Sequence, residues 1–198
     1  MDNQHLELAT LIGSRICHDL ISPIGAIDNG LELLGMADGG MGPELSLINE
    51  SVTNASARIR FFRLAFGAAG SQEISAHEIR TILRDVSAGQ KVSFSWKSDR
   101  AVIRSDVRAI FLAEQCLESA MPYGGDITIR PDGDHWLVVG QAKKFNVDEK
   151  LWSLLGGGKA GKDILPAHVH FPLLAQHCRA EHRKIECKLS GDSISIRL

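Results

Sequence analysis

The sequence has no marked excess of charge of either sign. Its 198 residues include 22 lysines and arginines and 24 aspartates and glutamates, which leaves a net charge of -2. Proteins that bind the phosphate backbone of nucleic acids need a strongly basic surface, so we do not expect a nucleic acid partner. The sequence also lacks a run of 18 apolar residues and a basic, apolar leader. We therefore expect no membrane-spanning helix and a cytoplasmic location.

Cysteine is scarce as well. The four cysteines stand far apart without a C-x-x-C pair, which predicts reduced thiols rather than a disulfide framework or a zinc knuckle. Histidine and cysteine are densest between residues 168 and 182, but they do not follow a recognised metal-ligand spacing. We therefore expect structural or surface roles for this set, which consists of His168, His170, His177, Cys178 and His182.

Two stretches near the N-terminus repeat apolar residues every three or four positions, as amphipathic helices do. The first covers residues 6–34. The second covers residues 45–66 and has the alternating steps of a coiled-coil seam. Residues 35–43 between them hold four glycines and Pro43, which predicts a turn and an antiparallel hairpin. The predicted seam consists of Leu45, Ile48, Val52, Ala55, Ile59, Phe62 and Phe66.

A single hairpin cannot bury all of this apolar surface. A second copy of the chain would complete a four-helix bundle, because two hairpins can then cover each other's apolar faces. We therefore predict a homodimer.

The helical spacing of apolar residues ends near residue 70. Small residues interrupt the helical pattern there, and Ser75 followed by Glu78 forms a capping box that begins a new helix. We predict an α+β protein with a helical hairpin over residues 1–70 and an α/β sandwich over residues 71–198, with a largely antiparallel sheet and helices on one face. In the second part we expect helices at 76–86, 106–121, 148–155 and 169–181 and strands at 92–96, 101–103, 127–130, 136–141, 185–189 and 193–198.

His18 lies on the polar side of the first predicted helix. At 100° per residue the apolar stripe faces away from it, so the imidazole should project into solvent. A neutral imidazole keeps a lone pair on one ring nitrogen, and that nitrogen can attack phosphorus. Asp19 is rotated by one residue and can steady the histidine tautomer from the side. The side of the helix that carries His18 also carries Ser14, Arg15, Ser22 and Gly25.

An exposed histidine on a helix is by itself most often a solvated surface residue. Residues 15–26, with the sequence RICHDLISPIGA, are nevertheless similar to the H-box of histidine kinases. In that motif an acidic residue follows the phosphorylated histidine, and a Thr or Ser precedes a proline on the next turn. With residues 29–34 (NGLELL) and 58–63 (RIRFFR), the chain resembles the ChpT-type histidine phosphotransferases. The likeness is strongest over residues 8–68.

This resemblance implies a dimerisation and phosphotransfer hairpin, followed by a degenerate relative of the histidine kinase ATPase domain. It implies a phosphorelay in which His18 receives a phosphoryl group from the receiver domain of a hybrid kinase. His18 then passes the group to the aspartate of a response regulator, with Asp19 as the second catalytic residue. The magnesium ion would belong to the acidic pocket of the receiver, so we expect no cofactor in this chain.

Signals for ATP binding are missing. The helix predicted at residues 106–121 has no asparagine, where an active kinase ATPase domain should carry its nucleotide and magnesium ligands. The D-x-G-x-G loop is absent, and residues 156–163 (GGGKAGKD) lack the last residue and the preceding strand of a P-loop. Two alternatives stay open: an ATP-dependent histidine kinase, and a dimeric scaffold that binds receiver domains without transfer.

Several residues near His18 have both a functional and a structural interpretation. Leucines at positions 8 and 11 and the isoleucine at position 21 can contact a receiver helix or pack within the bundle. Three arginines of the second helix, at positions 58, 60 and 63, can bind an acidic receiver surface or pair locally. We predict a receiver-docking surface that consists of Arg15, Ser22, Leu11, Ile21, Gly25 and Arg58.

Overall fold

A computed structural model of the chain describes residues 3–36, 43–158 and 164–198. Helix α1 (Asn3–Met36) and helix α2 (Pro43–Ala65) correspond to the two helices predicted from the spacing of apolar residues. Most of the predicted turn at residues 35–43 lies outside the described residues, and α2 begins at the proline that was expected to start it. No helix in the described part of the chain is long and apolar enough to cross a membrane.

The two helices pack against each other in opposite directions, as an antiparallel hairpin. Gly30 of α1 lies against Ile48 of α2, whereas Asp19, earlier in α1, lies near Arg58, later in α2. A Cβ atom on Gly30 would stand 2.6 Å from Cγ1 of Ile48. Glycine at this position therefore allows the two helices to approach closely.

Helix α2 has apolar residues on two faces rather than on one. Within the predicted seam, Val52 and Ile59 are about half exposed. Phe61 and Leu64 lie outside the predicted seam and are buried, and the ring of Phe61 stacks on Phe111 with the ring centroids 4.7 Å apart. The heptad pattern missed this second face because it describes contacts between neighbouring helices, whereas Phe61 contacts a residue 50 positions away in the sequence.

Each helix and strand predicted after residue 75 is present within a few residues of its expected ends. The hydroxyl of Ser75 accepts a hydrogen bond from the backbone N–H of Glu78 at 3.1 Å, which confirms the predicted helix start. The elements are β1 (Glu73–Ile74), α3 (Ala76–Ser87), β2 (Val92–Trp96), β3 (Val102–Ile103), α4 (Arg104–Ala120), β4 (Gly125–Asp132), β5 (His135–Gln141), α5 (Glu149–Ser153), a 3-10 turn (Pro166–His168), α6 (His170–Ala180), β6 (Glu186–Ser190) and β7 (Ser193–Arg197). Strand β1 was not predicted, because two residues are too few to show an alternating pattern.

Five strands form the main sheet in the order β2-β4-β5-β7-β6, and β1 and β3 form a separate antiparallel pair. Strands β2 and β4 run parallel, and all other neighbours in the main sheet run antiparallel. Ile129, Val138 and Ile196 are paired across three neighbouring strands and are fully buried. The prediction of a largely antiparallel sheet is confirmed.

Helix α4 joins the hairpin to the sheet. Its side chains at Ile110, Phe111, Leu112 and Leu117 are fully buried, and the helix packs against α2, α6 and β5. A helix with apolar residues on all sides is typical of the centre of a core. The last turns of α2 share this core, and the division of the chain at residue 70 stays a prediction.

Candidate functional site

The middle of α1 presents His18 to solvent, with a side chain that is 86% exposed. Its Nδ1 atom lies 3.1 Å from Oδ1 of Asp19. Because a carboxylate can only accept hydrogen bonds, a neutral imidazole in this contact carries its proton on Nδ1 and keeps a lone pair on Nε2. The site therefore offers an exposed nucleophilic nitrogen on a ring that is held from one side.

Asp19 is much less exposed than its neighbour, at 9% of its side chain. Its second oxygen, Oδ2, accepts a hydrogen bond from Nε of Arg15 at 2.8 Å. Arg58 of α2 has its Nη1 atom 3.8 Å from the same oxygen, and its Nε donates to Oδ1 of Asn54 at 2.9 Å. The two oxygens of this carboxylate thus have different partners, with arginines at Oδ2 and His18 at Oδ1.

Arg15 also contacts two segments of the C-terminal part. Its Nη1 donates to the backbone carbonyl of Ala167, in the 3-10 turn, at 2.9 Å. Its Nη2 donates to Oε1 of Gln115 in α4 at the longer distance of 3.5 Å. Gln115 in turn donates through Nε2 to Oε2 of Glu118 at 3.0 Å. A continuous series of polar contacts therefore leads from the exposed histidine into the centre of the fold.

Three ionisable groups near this series of polar contacts have shifted pKa values. Burial raises the pKa of Glu114 well above its usual value, and the nearby Glu118 adds to the effect. Burial also raises the pKa of Glu118, whereas Arg15 and Arg58 act in the opposite direction. Burial lowers the pKa of His170 well below its usual value, and the charge of Arg15 contributes. Burial therefore disfavours the charged forms of all three groups.

Helix α4 lies beside the site, although this position was not predicted from its sequence. Its lack of asparagine was the only feature used for prediction, and Glu114, Gln115 and Glu118 were missed as neighbours of the site. A signal was present, because these polar residues interrupt an otherwise apolar stretch, FLAEQCLESA. Polar side chains in a buried helix need partners, and Arg15 is the partner of Gln115 that the helical periodicity of α1 could not identify.

The apolar and small residues predicted to dock a receiver have different environments. Ile21 and Ser22 are exposed close to His18 in the sequence, with Ile21 at 68% exposure. Leu11 and Gly25 are half-buried, and Leu11 packs against the hydrophobic core. For Leu11 the packing interpretation is therefore the better supported one.

The arginines of α2 also divide into two groups. Arg58 reaches the site through Asp19, as described above. Arg60 pairs instead with Asp85 at 2.8 Å, and Arg63 lies 3.8 Å from Glu78, so both bind acidic residues of α3. Their local pairing supports the structural interpretation of these two arginines.

Comparison with known proteins identifies the family. Residues 76–193 match the family model described as the histidine phosphotransferase C-terminal domain. The chain belongs to this histidine phosphotransferase family. It is 34% identical over 171 residues to the protein phosphotransferase ChpT of Brucella abortus (strain 2308), a match that covers 82% of this chain and 80% of that relative. A solved structure of a bacterial phosphotransferase aligns with a TM-score of 0.82 and 29% identity, and covers 100% of this chain and 97% of that chain.

Membership of the histidine phosphotransferase family confirms the predicted class of protein, a phosphotransferase of phosphorelays. It does not favour the two alternatives, an ATP-dependent kinase and a scaffold without activity. The predicted fold, a helical hairpin followed by an α/β sheet, is confirmed as well. The histidine kinase domain of the Erythrobacter litoralis blue-light activated histidine kinase EL346 aligns with a TM-score of 0.45 and 11% identity.

Of the histidines and the cysteine between residues 168 and 182, His177 and Cys178 are buried in the core. Nε2 of His177 donates to the backbone carbonyl of Ser105 at 2.9 Å, and burial raises the pKa of Cys178 to about 11. Within residues 3–36, 43–158 and 164–198, no group of three His, Cys, Asp or Glu side chains is arranged to hold a metal ion. The P-loop-like segment at residues 156–163 lies mostly outside the described residues.

Proposed function

We propose that this phosphotransferase carries a phosphoryl group on His18 between the aspartates of receiver domains. The observation that carries the proposal is the pairing of an exposed imidazole with a nearly buried carboxylate, in which Nδ1 of His18 lies 3.1 Å from Oδ1 of Asp19. This contact keeps the proton on Nδ1. Nε2 is then the nucleophile, at a surface where a partner protein can bring its phosphoryl group.

In the proposed reaction, Nε2 of His18 attacks the phosphorus of a phosphoaspartate on the donor receiver. The N–P bond forms while the P–O bond to the aspartate breaks, and the electron pair leaves with the aspartate carboxylate. The ring keeps its Nδ1 proton and becomes positively charged, and Asp19 stabilises that charge through the hydrogen bond. Since no proton has to leave the ring, no separate base is required. Transfer to the acceptor receiver is the reverse reaction.

The proposed partners are the receiver domain of a hybrid histidine kinase and that of a response regulator. A receiver would meet the surface around His18, where Ile21 and Ser22 are exposed and Gly25 lies one turn beyond. Arg15 and Arg58 serve this surface mainly through Asp19, because their guanidinium groups are directed at its carboxylate.

The chain needs no cofactor of its own in this proposal. In-line phosphoryl transfer depends on positioning and charge stabilisation, which the magnesium ion in the acidic pocket of the receiver supplies. The absence of asparagine from residues 104–120 supports this view, because an ATP-dependent kinase would need such ligands there.

The working form in this proposal is a cytoplasmic homodimer built on a four-helix bundle. In one chain, Ile24 and Leu31 of α1 and Val52 and Ile59 of α2 are between 46% and 54% exposed. The members of each pair stand seven residues apart, so each pair lies on one face of its helix. A second hairpin would bury these side chains, whereas a monomer would leave them in water.

The test is to incubate the purified protein with receiver domains that carry radiolabelled phosphate. We expect the label to move to this protein, to be labile in acid and stable in base as phosphohistidine is, and to map to His18. Label on another residue would contradict the site assignment. Receiver binding without transfer would support the scaffold alternative, and labelling from Mg-ATP alone would support the kinase alternative.

A further inference from the structure

Arg15 has an unusual set of partners for a surface arginine of a helix. Its three nitrogen atoms contact three different parts of the chain: Asp19 within α1, the carbonyl of Ala167 in the 3-10 turn, and Gln115 in α4. The last two partners stand 152 and 100 residues away in the sequence. With its side chain only 20% exposed, the guanidinium is largely enclosed by its own protein.

This arrangement determines which oxygen of Asp19 faces the histidine. Nε of Arg15 occupies Oδ2 at 2.8 Å, which leaves Oδ1 for Nδ1 of His18. A carboxylate that is 9% exposed also needs a counter-charge, because an unpaired charge is costly to bury. Without Arg15, Asp19 would lose its nearest cation and the contact that orients it.

We infer that Arg15 is a positioning residue for phosphotransfer, through which Gln115 and Ala167 of the C-terminal part hold Asp19 against Nδ1 of His18. The inference rests on the proposed role of His18. It gives the C-terminal part a role in the chemistry beyond folding, since the tautomer of the phosphoacceptor depends on contacts that this part supplies. Arg15 acts through Asp19 and does not itself contact the His18 ring.

Only an arginine can make this set of contacts. The planar guanidinium sends donors in several directions from one rigid group, whereas a lysine ammonium is a single point at the end of a flexible stem. Lysine at position 15 would keep a positive charge near Asp19 but could not reach both Asp19 and the two C-terminal partners. The variant Arg15→Lys therefore separates the charge of Arg15 from its geometry, with little risk to folding.

A suitable control is Arg104, which also joins the two parts of the protein. Nη2 of Arg104, at the start of α4, donates to the backbone carbonyl of Arg63 at 2.6 Å, and its Nε donates to the carbonyl of Ala68 at 2.9 Å. Arg104 thus ties the C-terminal part to the end of α2, but it contacts neither His18 nor Asp19. If Arg15 mattered only as a structural connection between the two parts, Arg104→Ala and Arg15→Ala should reduce the transfer rate by similar factors.

The experiment measures the His18 tautomer by NMR of imidazole 15N-labelled full-length protein, and the transfer rate from a phosphorylated receiver. We expect Arg15→Ala and Arg15→Lys to shift His18 from the Nδ1–H form toward the Nε2–H form, and to slow transfer about 10- to 100-fold. Gln115→Ala should change the tautomer population and the transfer rate in the same direction but by less, since Asp19 keeps its bond to Arg15. Arg104→Ala should leave the tautomer and the rate unchanged.

Wild-type tautomer and rate in Arg15→Lys would overturn the inference, and so would equal losses in Arg104→Ala and Arg15→Ala. If Arg15→Ala does not fold, Arg15→Lys and Gln115→Ala decide the question. Failure of the proposed function is a separate result, because it would appear as absence of label on His18 in the wild-type protein. The NMR measurement requires no phosphotransfer and therefore tests the positioning on its own.

Discussion

The hairpin and helix α4 differ in which side chains they expose to solvent. The hairpin leaves apolar side chains such as Ile24 and Leu31 about half exposed, together with the imidazole of His18. Helix α4 instead buries Glu114 and Gln115 among apolar neighbours. Each apolar Å² left in water forgoes about 25 cal/mol of stabilisation. The exposed apolar side chains support the proposal that the hairpin contacts other chains, whereas α4 is buried within one chain.

The largest expected effect is the loss of phosphotransfer when His18 is replaced, without a loss of stability. His18→Gln should abolish acceptance of acid-labile phosphate from a receiver, because it removes the attacking nitrogen. It should change the free energy of unfolding by no more than about 0.5 kcal/mol, as is usual for exposed side chains. Transfer assays and urea denaturation measure the two quantities. His77→Gln, at an exposed position of α3, is the matched control and should accept phosphate as the wild type does. If His18→Gln still accepted phosphate, another residue would be the acceptor of the phosphoryl group.

Asp19→Asn should slow transfer without eliminating it. The amide keeps the size of the side chain but loses the charge that stabilises the phosphorylated ring in the proposed reaction. Positioned groups of this kind typically contribute about 10² to 10⁴ in rate. Rapid-quench measurement of transfer from a phosphorylated receiver gives the rate. An unchanged rate would mean that the negative charge of Asp19 has no part in the reaction.

The two faces of α2 allow a direct test of the comparison between the hairpin and the core. Phe61→Ala should lower the free energy of unfolding by about 3–5 kcal/mol, because it removes a buried ring that stacks on Phe111. Urea denaturation of the protein at high concentration, where association is saturated, measures this loss. A much smaller loss would mean that the end of α2 is not part of the core.

Ile59→Asp should act on association instead. Position 59 is half exposed in one chain, so the fold should tolerate aspartate there, whereas a dimer interface would bury the unpaired charge. We expect the dimer to weaken by about 3 kcal/mol, roughly 100-fold in its dissociation constant. Analytical ultracentrifugation measures this change, with Ile59→Leu as the apolar control. A dimer that survives Ile59→Asp intact would show that this face of α2 is not the interface.

The smallest effect concerns pH and the buried His170. Burial lowers the pKa of His170 in the folded protein, so the unfolded chain takes up the proton first as the pH falls below about 6.5. Stability should therefore decrease on acidification, with a slope of up to about 1.4 kcal/mol per pH unit for this one proton. His170→Phe should reduce the slope between pH 7 and pH 5 relative to the wild type.

The comparison between variants is needed because other groups titrate as well. His177 has a lowered pKa and contributes in the same direction, whereas Glu114 has a raised pKa and contributes in the opposite one. The difference in slope between His170→Phe and the wild type isolates the contribution of His170. An equally steep slope in His170→Phe would show that His170 does not titrate with unfolding.

Much of the fold could be predicted because local patterns reflect local contacts. Apolar residues at helical spacing indicated α1 and α2, and the capping box at Ser75 indicated the start of α3. The H-box around His18 indicated the family. The two-residue strand β1 and the second apolar face of α2 were missed, because neither follows from a pattern within its own segment.

The amino-acid sequence by itself therefore determined the order of the elements, the exposed position of His18 on a helix and the class of chemistry. Only the tertiary structure decided that Arg15 is directed inward, that α4 lies behind the site, and that the two oxygens of Asp19 have different partners. The physical reason is distance along the chain. Helical periodicity relates residues three or four positions apart, whereas the bonds of Arg15 to Gln115 and Ala167 join residues 100 and 152 positions apart and exist only once the core has packed.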